Sequence, residues 1–413
     1  MKSVFNRVLC RNLATSPSVS SLQSTLVPGF YNSEQLALQD TVRKVVDTTI
    51  NTDWEQWERE EIFPAKQVFK QFGDAGLLGI HRPVEYGGQG LSYKYNVAAL
   101  EALGHSRSSG VAMAIGVQTD CSTPALANYG SEELKQTYLA PAIAGDAVTS
   151  IAVSEPGGGS DVGNISTSAT RRDGDLVING TKMWITSGMQ SDWACLLANT
   201  EKEGGKWFNK SLVVVPMDAP GISKSMINKM GMHASDTAIL TFDNVKVPVD
   251  HIIGEPGMGF VYQMKQFQDE RMVAAVGTLV PLTMIIEETL EYCKQRQAFG
   301  KPLISNQYIQ YKLAELYTEV EMIRAAVYMT ADNIEKEEDM TMMCSMLKLK
   351  VGRLAREVSD TCLQFWGGMG FTEEVMVSKA YRDLRLGSIA GGADEIMLGI
   401  ICKLADMMPS KQK

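Results

Sequence analysis

Residues 150–161, Ser-Ile-Ala-Val-Ser-Glu-Pro-Gly-Gly-Gly-Ser-Asp, hold the densest group of ligand-facing residue types in the chain. A β-branched run that ends in Pro-Gly-Gly-Gly-Ser is a strand turning over glycines, and glycines let backbone N–H groups approach a bound group closely. Taken alone, such a turn is also what any flexible connection looks like. Met183-Trp184-Ile185-Thr186-Ser187-Gly188, at the end of the following hydrophobic run, sharpens the reading. Two strand ends with Ser154, Trp184 and Thr186 offer hydroxyls and an aromatic face to one flat ligand. Metal chemistry finds no support. The four His (81, 105, 233, 251) and seven Cys (10, 121, 195, 293, 344, 362, 402) make no HExxH and no CxxC, which also argues against a disulfide framework and for reduced, buried thiols.

These strand ends need a sheet, and the sheet needs flanking elements. Residues 31–146 read as a helical domain, with Ser33 as an N-cap, Pro64 in a first turn, and helices at 93–103 and 109–129 before a C-cap at Gly130. Residues 147–256 change texture to short β-branched runs separated by Gly, Asn and Asp. Asn179-Gly180 there has the chemistry of a type I′ hairpin turn. Further strands fit 193–198, 211–215 and 238–247. Residues 257–413 return to helices. Met272, Val276, Leu279, Ile286 and Leu290 share one face of a long helix, and Pro281 inside it predicts a kink. Further helices fit 305–335, 340–366, 372–382 and 393–407. Helices, then strands, then helices, with no fixed repeat, predict an α+β fold in which a barrel or sandwich lies between helical domains.

Composition bounds the rest. The 413 residues are 45% hydrophobic and 21% charged, enough for a sizeable core. A net charge of -9 argues against general nucleic-acid binding. No run of eighteen apolar residues reads as a transmembrane segment. Residues 1–30 differ from everything after them: Lys2, Arg7 and Arg11, six Ser, and no acid before Glu34. That is the composition of a mitochondrial transit peptide, which predicts a mitochondrial matrix location.

Four segments in order, SEPGGGSD (154–161), NGTKMWITSG (179–188), QRQAFGKPL (295–303) and QFWGGMGF (364–371), resemble the acyl-CoA dehydrogenases. The resemblance spans about residues 34–408. It implies an N-terminal helical domain, a middle β domain and a C-terminal four-helix bundle. It also implies one FAD per subunit, bound partly across a subunit interface, usually in homotetramers. Carried over motif by motif, it sets Ile151, Val153 and Ser154 along the flavin and Trp184, Ile185 and Thr186 on its other flank. Ser160 falls beside the acyl-CoA thioester arm. Arg296 reaches the pyrophosphate of a neighbouring subunit's FAD, a task that suits a guanidinium fork. Gln307 and the turn from Gln364 to Gly368 meet the adenosine end.

The family's reaction removes the α-proton of an acyl-CoA with a carboxylate while flavin N5 takes the β-hydride, giving a trans-2-enoyl-CoA. Electrons then pass to electron-transferring flavoprotein. Many members carry the base in a Tyr-Glu-Gly-Thr run. Here the matching stretch is Ile389-Ala390-Gly391-Gly392-Ala393-Asp394-Glu395, with Gly391 where the acid belongs. In this the chain resembles the long-chain and isovaleryl subgroups, whose Glu precedes an Arg on an earlier helix. Gln268-Asp269-Glu270-Arg271 matches that pattern, so Glu270 is the candidate base and Arg271 a substrate- or CoA-side contact. In isolation such a triplet is an ordinary solvated helix face, and Asp394 and Glu395 are rival acids. The Gly391 N–H remains a donor to the thioester oxygen, and Gly391 and Gly392 also present flavin-facing backbone. Glycine at 391 frees volume beside the reacting carbons, which predicts a long, methyl-branched acyl chain. The ending GGADEIMLGIICKL is similar to citronellyl-CoA dehydrogenases. Two alternatives stay open: an acyl-CoA oxidase, and a non-catalytic assembly scaffold that keeps the FAD loops.

Overall fold

The structure is a computed structural model that describes residues 29–200, 205 and 207–409. The transit-peptide reading falls almost wholly outside those residues.

The first helical layer comprises α1 (Ser33–Thr49), α2 (Trp54–Glu60), α3 (Ala65–Asp74), α4 (Tyr93–Leu103), α5 (Ser109–Gly116) and α6 (Pro124–Tyr129). The cap of α1 is Asn32, not Ser33. Asn32 Oδ1 accepts from Gln35 N at 2.8 Å, and Gln35 Oε1 accepts from Asn32 N at 3.0 Å. Asn at the cap with Gln three residues on satisfies two orphan donors reciprocally, a trade that Ser33 with Leu36 cannot make. The single helix expected over 109–129 is broken. A π-helical turn over Val117–Ser122 separates α5 from α6. Pro124 lacks the N–H needed to continue the ladder, and Thr119 and Thr123 hydroxyls bond the Ile115 and Gln118 carbonyls at 3.1 and 2.8 Å instead. That turn puts Asp120 and Cys121 into the site described below.

The middle sheet has eight strands: β1 (Thr149–Ala152), β2 (Ser168–Arg172), β3 (Asp175–Thr186), β4 (Trp193–Asn199), β5 (Lys210–Pro216), β6 (Ile222–Met226), β7 (Thr237–Pro248) and β8 (Ile252–Ile253). The order is β6-β7-β3-β2-β4-β5-β8, with β1 added parallel to β4. Asn179-Gly180 is not a hairpin turn. It lies inside β3, at a register shift against β7. Gly180 has φ +148°, and a Cβ there would sit 2.5 Å from Thr167 Oγ1. Asn179 Oδ1 accepts from Asn244 N at 2.9 Å. Cross-strand pairing uses the dipeptide that the local signal assigned to a turn. The hairpin instead turns at Asp173-Gly174, both with positive φ (52° and 89°).

Period-2 alternation explains why β4 and β5 are buried throughout. Trp193, Cys195 and Leu197 pack with Leu126 of α6 and Phe260. Ala194, Leu196 and Ala198 pack with Ile178, Leu240 and Val247 on strands of the same folded sheet.

The last region contains α7 (Gly259–Gln295), a small hairpin of β9 (Gln297–Ala298) and β10 (Lys301–Pro302), α8 (Gln307–Ile334), α9 (Thr341–Trp366), α10 (Met376–Leu384) and α11 (Asp394–Leu404). α9 is central, packed on α7, α8, α10 and α11. α7 runs without interruption through Pro281. Among the described residues it alone is long and apolar enough to cross a membrane, and half of its apolar window is buried inside the protein. Val97 and Leu100 of α4 join this core. The junction is fixed by Glu101, which accepts from Tyr31 and Tyr328 hydroxyls at 2.7 and 2.8 Å and pairs with Arg324.

Candidate active site

The ends of β1 and β3 are joined where Met183 N donates to Ser154 O at 2.9 Å. Beyond that bond the chain folds over residues 155–161. Glu155 holds the loop down. Its carboxylate accepts from Ser166 N at 2.7 Å, Ser166 Oγ at 2.6 Å, Thr167 N at 2.9 Å and Lys182 Nζ at 3.0 Å. Burial works to raise its pKa, but hydrogen bonds from Ser166 and Thr167 and the Lys182 charge outweigh it, bringing the acid to about 2. Lys182 is fully buried, donates also to Val153 O at 2.8 Å, and is lowered by desolvation to about 8. Sequence reasoning did not single out this pair. The available signal was an acid beside the Gly run and a Lys on an inward-facing strand position.

Above this anchor the surface is bare. A Cβ at Gly157 would meet nothing within 4 Å, at Gly158 only Asp161 O at 3.8 Å, and at Gly159 only Ser154 Oγ at 4.0 Å. Trp184 stands beside it at φ +68°, 58% exposed, on a register shift that turns its indole outward. Ser187 Oγ is buried without a partner. Ser154 and Thr186 are half-buried and Ser160 is exposed. Ile185 and Val153 differ from expectation: both side chains turn into the protein core, at 2% and 7% exposure, so only their backbones can face a ligand.

The second half of the site lies between α7 and the π-helical turn. Gln266 Nε2 donates to Glu270 Oε1 at 3.0 Å and to the Cys121 carbonyl. Gln263 adds a longer contact to the same carboxylate oxygen, 3.4 Å. Glu270 is half-buried. Desolvation pushes its carboxyl up to about 7, against the Gln266 hydrogen bond and the Arg271 charge and with a further push from Asp269 and Asp120. Arg271 is buried rather than solvent-facing, and its Nε has no partner. Its charge acts on Lys348 of α9, which burial lowers to about 8. Lys348 Nζ bonds Gly392 O, and Lys348 Cε lies 3.9 Å from where a Gly391 Cβ would stand. Glu270, Arg271, Lys348 and the Gly391-Gly392 pair are therefore linked in sequence, each to the next. The rival acids lie on the far side of Lys348, where both of their charges reach it. Asp394 is tied to Arg353 and Arg356 at 3.5 Å each, and Glu395 is exposed on the first turn of α11. Asp120 and Asp269 share the neighbourhood of Glu270, with Arg82 beside those two; Asp269 was read only as part of the 268–271 pattern, and Asp120 and Arg82 were passed over.

Arg296, Gln307, Gln364 and Gly368 are brought together at one end of the bundle, where α7 ends, α8 begins and α9 ends, and all four are exposed. Tyr292 stacked on Trp366 at 4.1 Å and the Trp366 Nε1 bond to Thr289 Oγ1 at 3.0 Å hold these termini in place. This end is 26 residues from Glu270 along α7, or about 39 Å of helix.

A bare glycine surface and an outward indole fit a flat heteroaromatic group, and a carboxylate of raised pKa fits proton abstraction. The comparisons agree with that class. Three domain families match in order: "Acyl-CoA dehydrogenase, N-terminal domain" over residues 32–146, "middle domain" over 150–245 and "C-terminal domain" over 257–405. The chain is 33% identical to the mouse (Mus musculus) mitochondrial long-chain specific acyl-CoA dehydrogenase, over 94% of this chain and 90% of that one. It is 34% identical to the potato (Solanum tuberosum) mitochondrial 2-methylacyl-CoA dehydrogenase, over 92% and 96%. An acyl-CoA dehydrogenase crystal structure from Geobacillus kaustophilus superposes with a TM-score of 0.88 at 32% identity, covering 92% of this chain and 99% of that one. The chain belongs to the acyl-CoA dehydrogenase family. It is an FAD-dependent oxidoreductase acting on fatty acyl-CoA thioesters.

Proposed function

We propose that the chain is a mitochondrial-matrix dehydrogenase that converts long and methyl-branched acyl-CoA thioesters to trans-2-enoyl-CoA with Glu270 as the base, working as a homotetramer and passing electrons to electron-transferring flavoprotein. The observation that supports this most is the Glu270 carboxylate, held by Gln266 and raised to about 7, next to Arg271, whose charge reaches the Lys348 that bonds the Gly392 carbonyl. A carboxylate near neutrality is matched to abstracting a weakly acidic α-proton. Bound FAD, held at Ser154, Trp184, Thr186 and the backbones of Ile151, Val153 and Ile185, supplies the hydride acceptor for the β-carbon. Glu270 takes the α-proton, and the Gly391 N–H donates to the thioester oxygen as charge builds there. Ser160 borders the thioester arm, and Arg271 keeps a positive charge behind Glu270. With no Cβ at 391, a methyl branch has room. The separation of about 39 Å between Glu270 and Arg296 supports sharing of the cofactor between subunits, since one chain cannot bring both to the same flavin. Arg296, Gln307, Gln364 and Gly368 then serve a neighbour's FAD. The names of the mouse and potato relatives agree with long and branched chains.

Anaerobic flavin bleaching by a panel of straight and 2-methyl acyl-CoAs from short to long tests this. Strongest bleaching with long and branched members is expected. Rapid peroxide formation in air would mark an oxidase, and no bleaching by any thioester a scaffold.

A further inference from the structure

The two oxygens of the Glu270 carboxylate are treated differently. Oε1 accepts from Gln266 Nε2 at 3.0 Å and from Gln263 Nε2 at 3.4 Å. Oε2 accepts no hydrogen bond among the described residues and is not sealed in the protein. The clasp on Oε1 has a fixed polarity. Gln266 Nε2 also donates to the Cys121 carbonyl, which lies in the π-helical turn. A backbone carbonyl only accepts. Turned over, the amide would set its own oxygen against both the Cys121 oxygen and the Glu270 carboxylate. It therefore has one usable orientation, and in it Gln266 shows Glu270 a donor in either protonation state. Gln263 is fully buried and Gln266 is 5% exposed, and the Oε1 of each is buried without a partner. Two stranded amide oxygens cost free energy. Packing alone would be served at less cost by apolar side chains, so what the two glutamines contribute is their N–H groups.

No other group beside Glu270 stands in for them. Burial disfavours its ionised form; among its charged neighbours Arg271 on α7 favours that form, while Asp269 on α7 and Asp120 on the π-helical turn oppose it. Cys121, and Cys195 on β4, face it with thiols that burial raises, Cys195 to about 12, so both stay neutral. None of these five donates a hydrogen bond to the carboxylate among the described residues. We propose that Gln266, assisted by Gln263, is the positioning residue of proton abstraction, holding Oε1 of Glu270 so that Oε2 is the atom that takes the α-proton. This rests on the dehydrogenase reading above, with Glu270 as base. The α C–H bond breaks and an O–H bond forms at Oε2. The C–H electron pair stays on the acyl chain and becomes the new double bond as the β-hydride leaves to bound FAD. Because the clasp donates and never accepts, it also favours the ionised base, the direction in which the Gln266 bond acts on Glu270.

The test follows the rate of anaerobic flavin bleaching by a saturating acyl-CoA across about pH 5.5–9.5 in wild-type, Gln266→Met and Gln263→Met holoenzymes. Met keeps the volume and removes the donors. In Gln266→Met the midpoint of the rate profile is expected to rise by about 1 pH unit. Its high-pH plateau should fall about tenfold or more, because an unheld carboxylate is misaligned, while the acyl-CoA concentration for half-maximal rate stays within about twofold. Gln263→Met removes the longer bond and should move midpoint and plateau the same way by less. It leaves the Cys121 bond intact, so if Gln266→Met does not fold, Gln263→Met alone decides. A packing role moves neither quantity, since Met fills the same space. Variant profiles that superpose on wild type overturn the clasp and leave the dehydrogenase reading intact. Failure of every thioester to bleach the wild-type flavin overturns both.

Discussion

Glu270→Gln should remove activity and add stability, and both effects come from one carboxyl group. Gln keeps the shape and can still accept from Gln266, but it takes no proton. Loss of a positioned base costs about 10²–10⁴-fold in rate. In the wild type, a pKa of about 7 means that roughly a tenth of Glu270 is ionised at pH 6 and about nine tenths at pH 8, so kcat/KM should rise through neutrality. The stability effect has the opposite sense. Raising an acid from 4.5 to about 7 means the folded protein holds a proton that the unfolded chain has released, so stability falls as pH climbs across that window. The full shift corresponds to about 3 kcal/mol at pH 8, an upper bound because solvent reaches this half-buried group, and to about 1 kcal/mol or less at pH 5. The Gln variant should therefore unfold at higher denaturant than wild type at pH 8, with the gap narrowing toward pH 5. The assays are acceptor reduction across pH 5.5–8.5 and denaturation of both holoproteins at the two ends. Turnover close to wild type, or a Gln variant less stable than wild type at pH 8, refutes the reasoning.

Lys182→Met strands Glu155 without its cation in the protein interior and should cost about 3–5 kcal/mol, read as a lower melting temperature with reduced flavin content, because residues 155–161 lose their anchor. Gly180→Ala places a methyl 2.5 Å from Thr167 Oγ1 at a φ that L-residues avoid. It should destabilise by about 1–3 kcal/mol in thermal denaturation. Arg296→Ala alters an exposed side chain and should leave the melting temperature of flavin-free protein within about 1 °C, surface changes being small, while purified protein carries visibly less FAD.

What could be read in advance followed the length of the signal. Long amphipathic segments such as Tyr93–Leu103 and Thr341–Trp366, and the buried alternation of β4 and β5, are imposed by many residues at once, so periodicity finds them. Asn179-Gly180 misled because two residues carry a turn preference that nine cross-strand partners between β3 and β7 override. The break at Val117–Ser122 depends on hydroxyls bonding backbone carbonyls, which spacing does not display. The same holds within the site. The Gly run and the indole were visible as residue types, whereas Glu155 with Lys182 is a pairing across 27 positions that only the folded chain creates.

Placing the acid on α7 instead of beside the Gly pair changes what fixes it. A base on the 389–393 loop would depend on that loop's conformation, where Gly391 and Gly392 have φ of +61° and +93° and Lys348 must bond the Gly392 carbonyl. Glu270 sits about a third of the way along a 37-residue helix, with Gln266 one turn before it and Gln263 two turns before it, both reaching the same oxygen. Its rotamer is therefore set by residues on its own helix face. The glycine loop, relieved of the base, is left to present backbone N–H groups and open volume. The separation has an energetic consequence: the helix buries a carboxyl that favours its protonated form below pH 7, and the Gln266 bond and Arg271 charge only partly offset that cost. With Glu270 as the proposed base, the helix fixes the acid near neutrality while the glycine loop is free to vary its volume, so the acyl group can diversify without moving the chemistry.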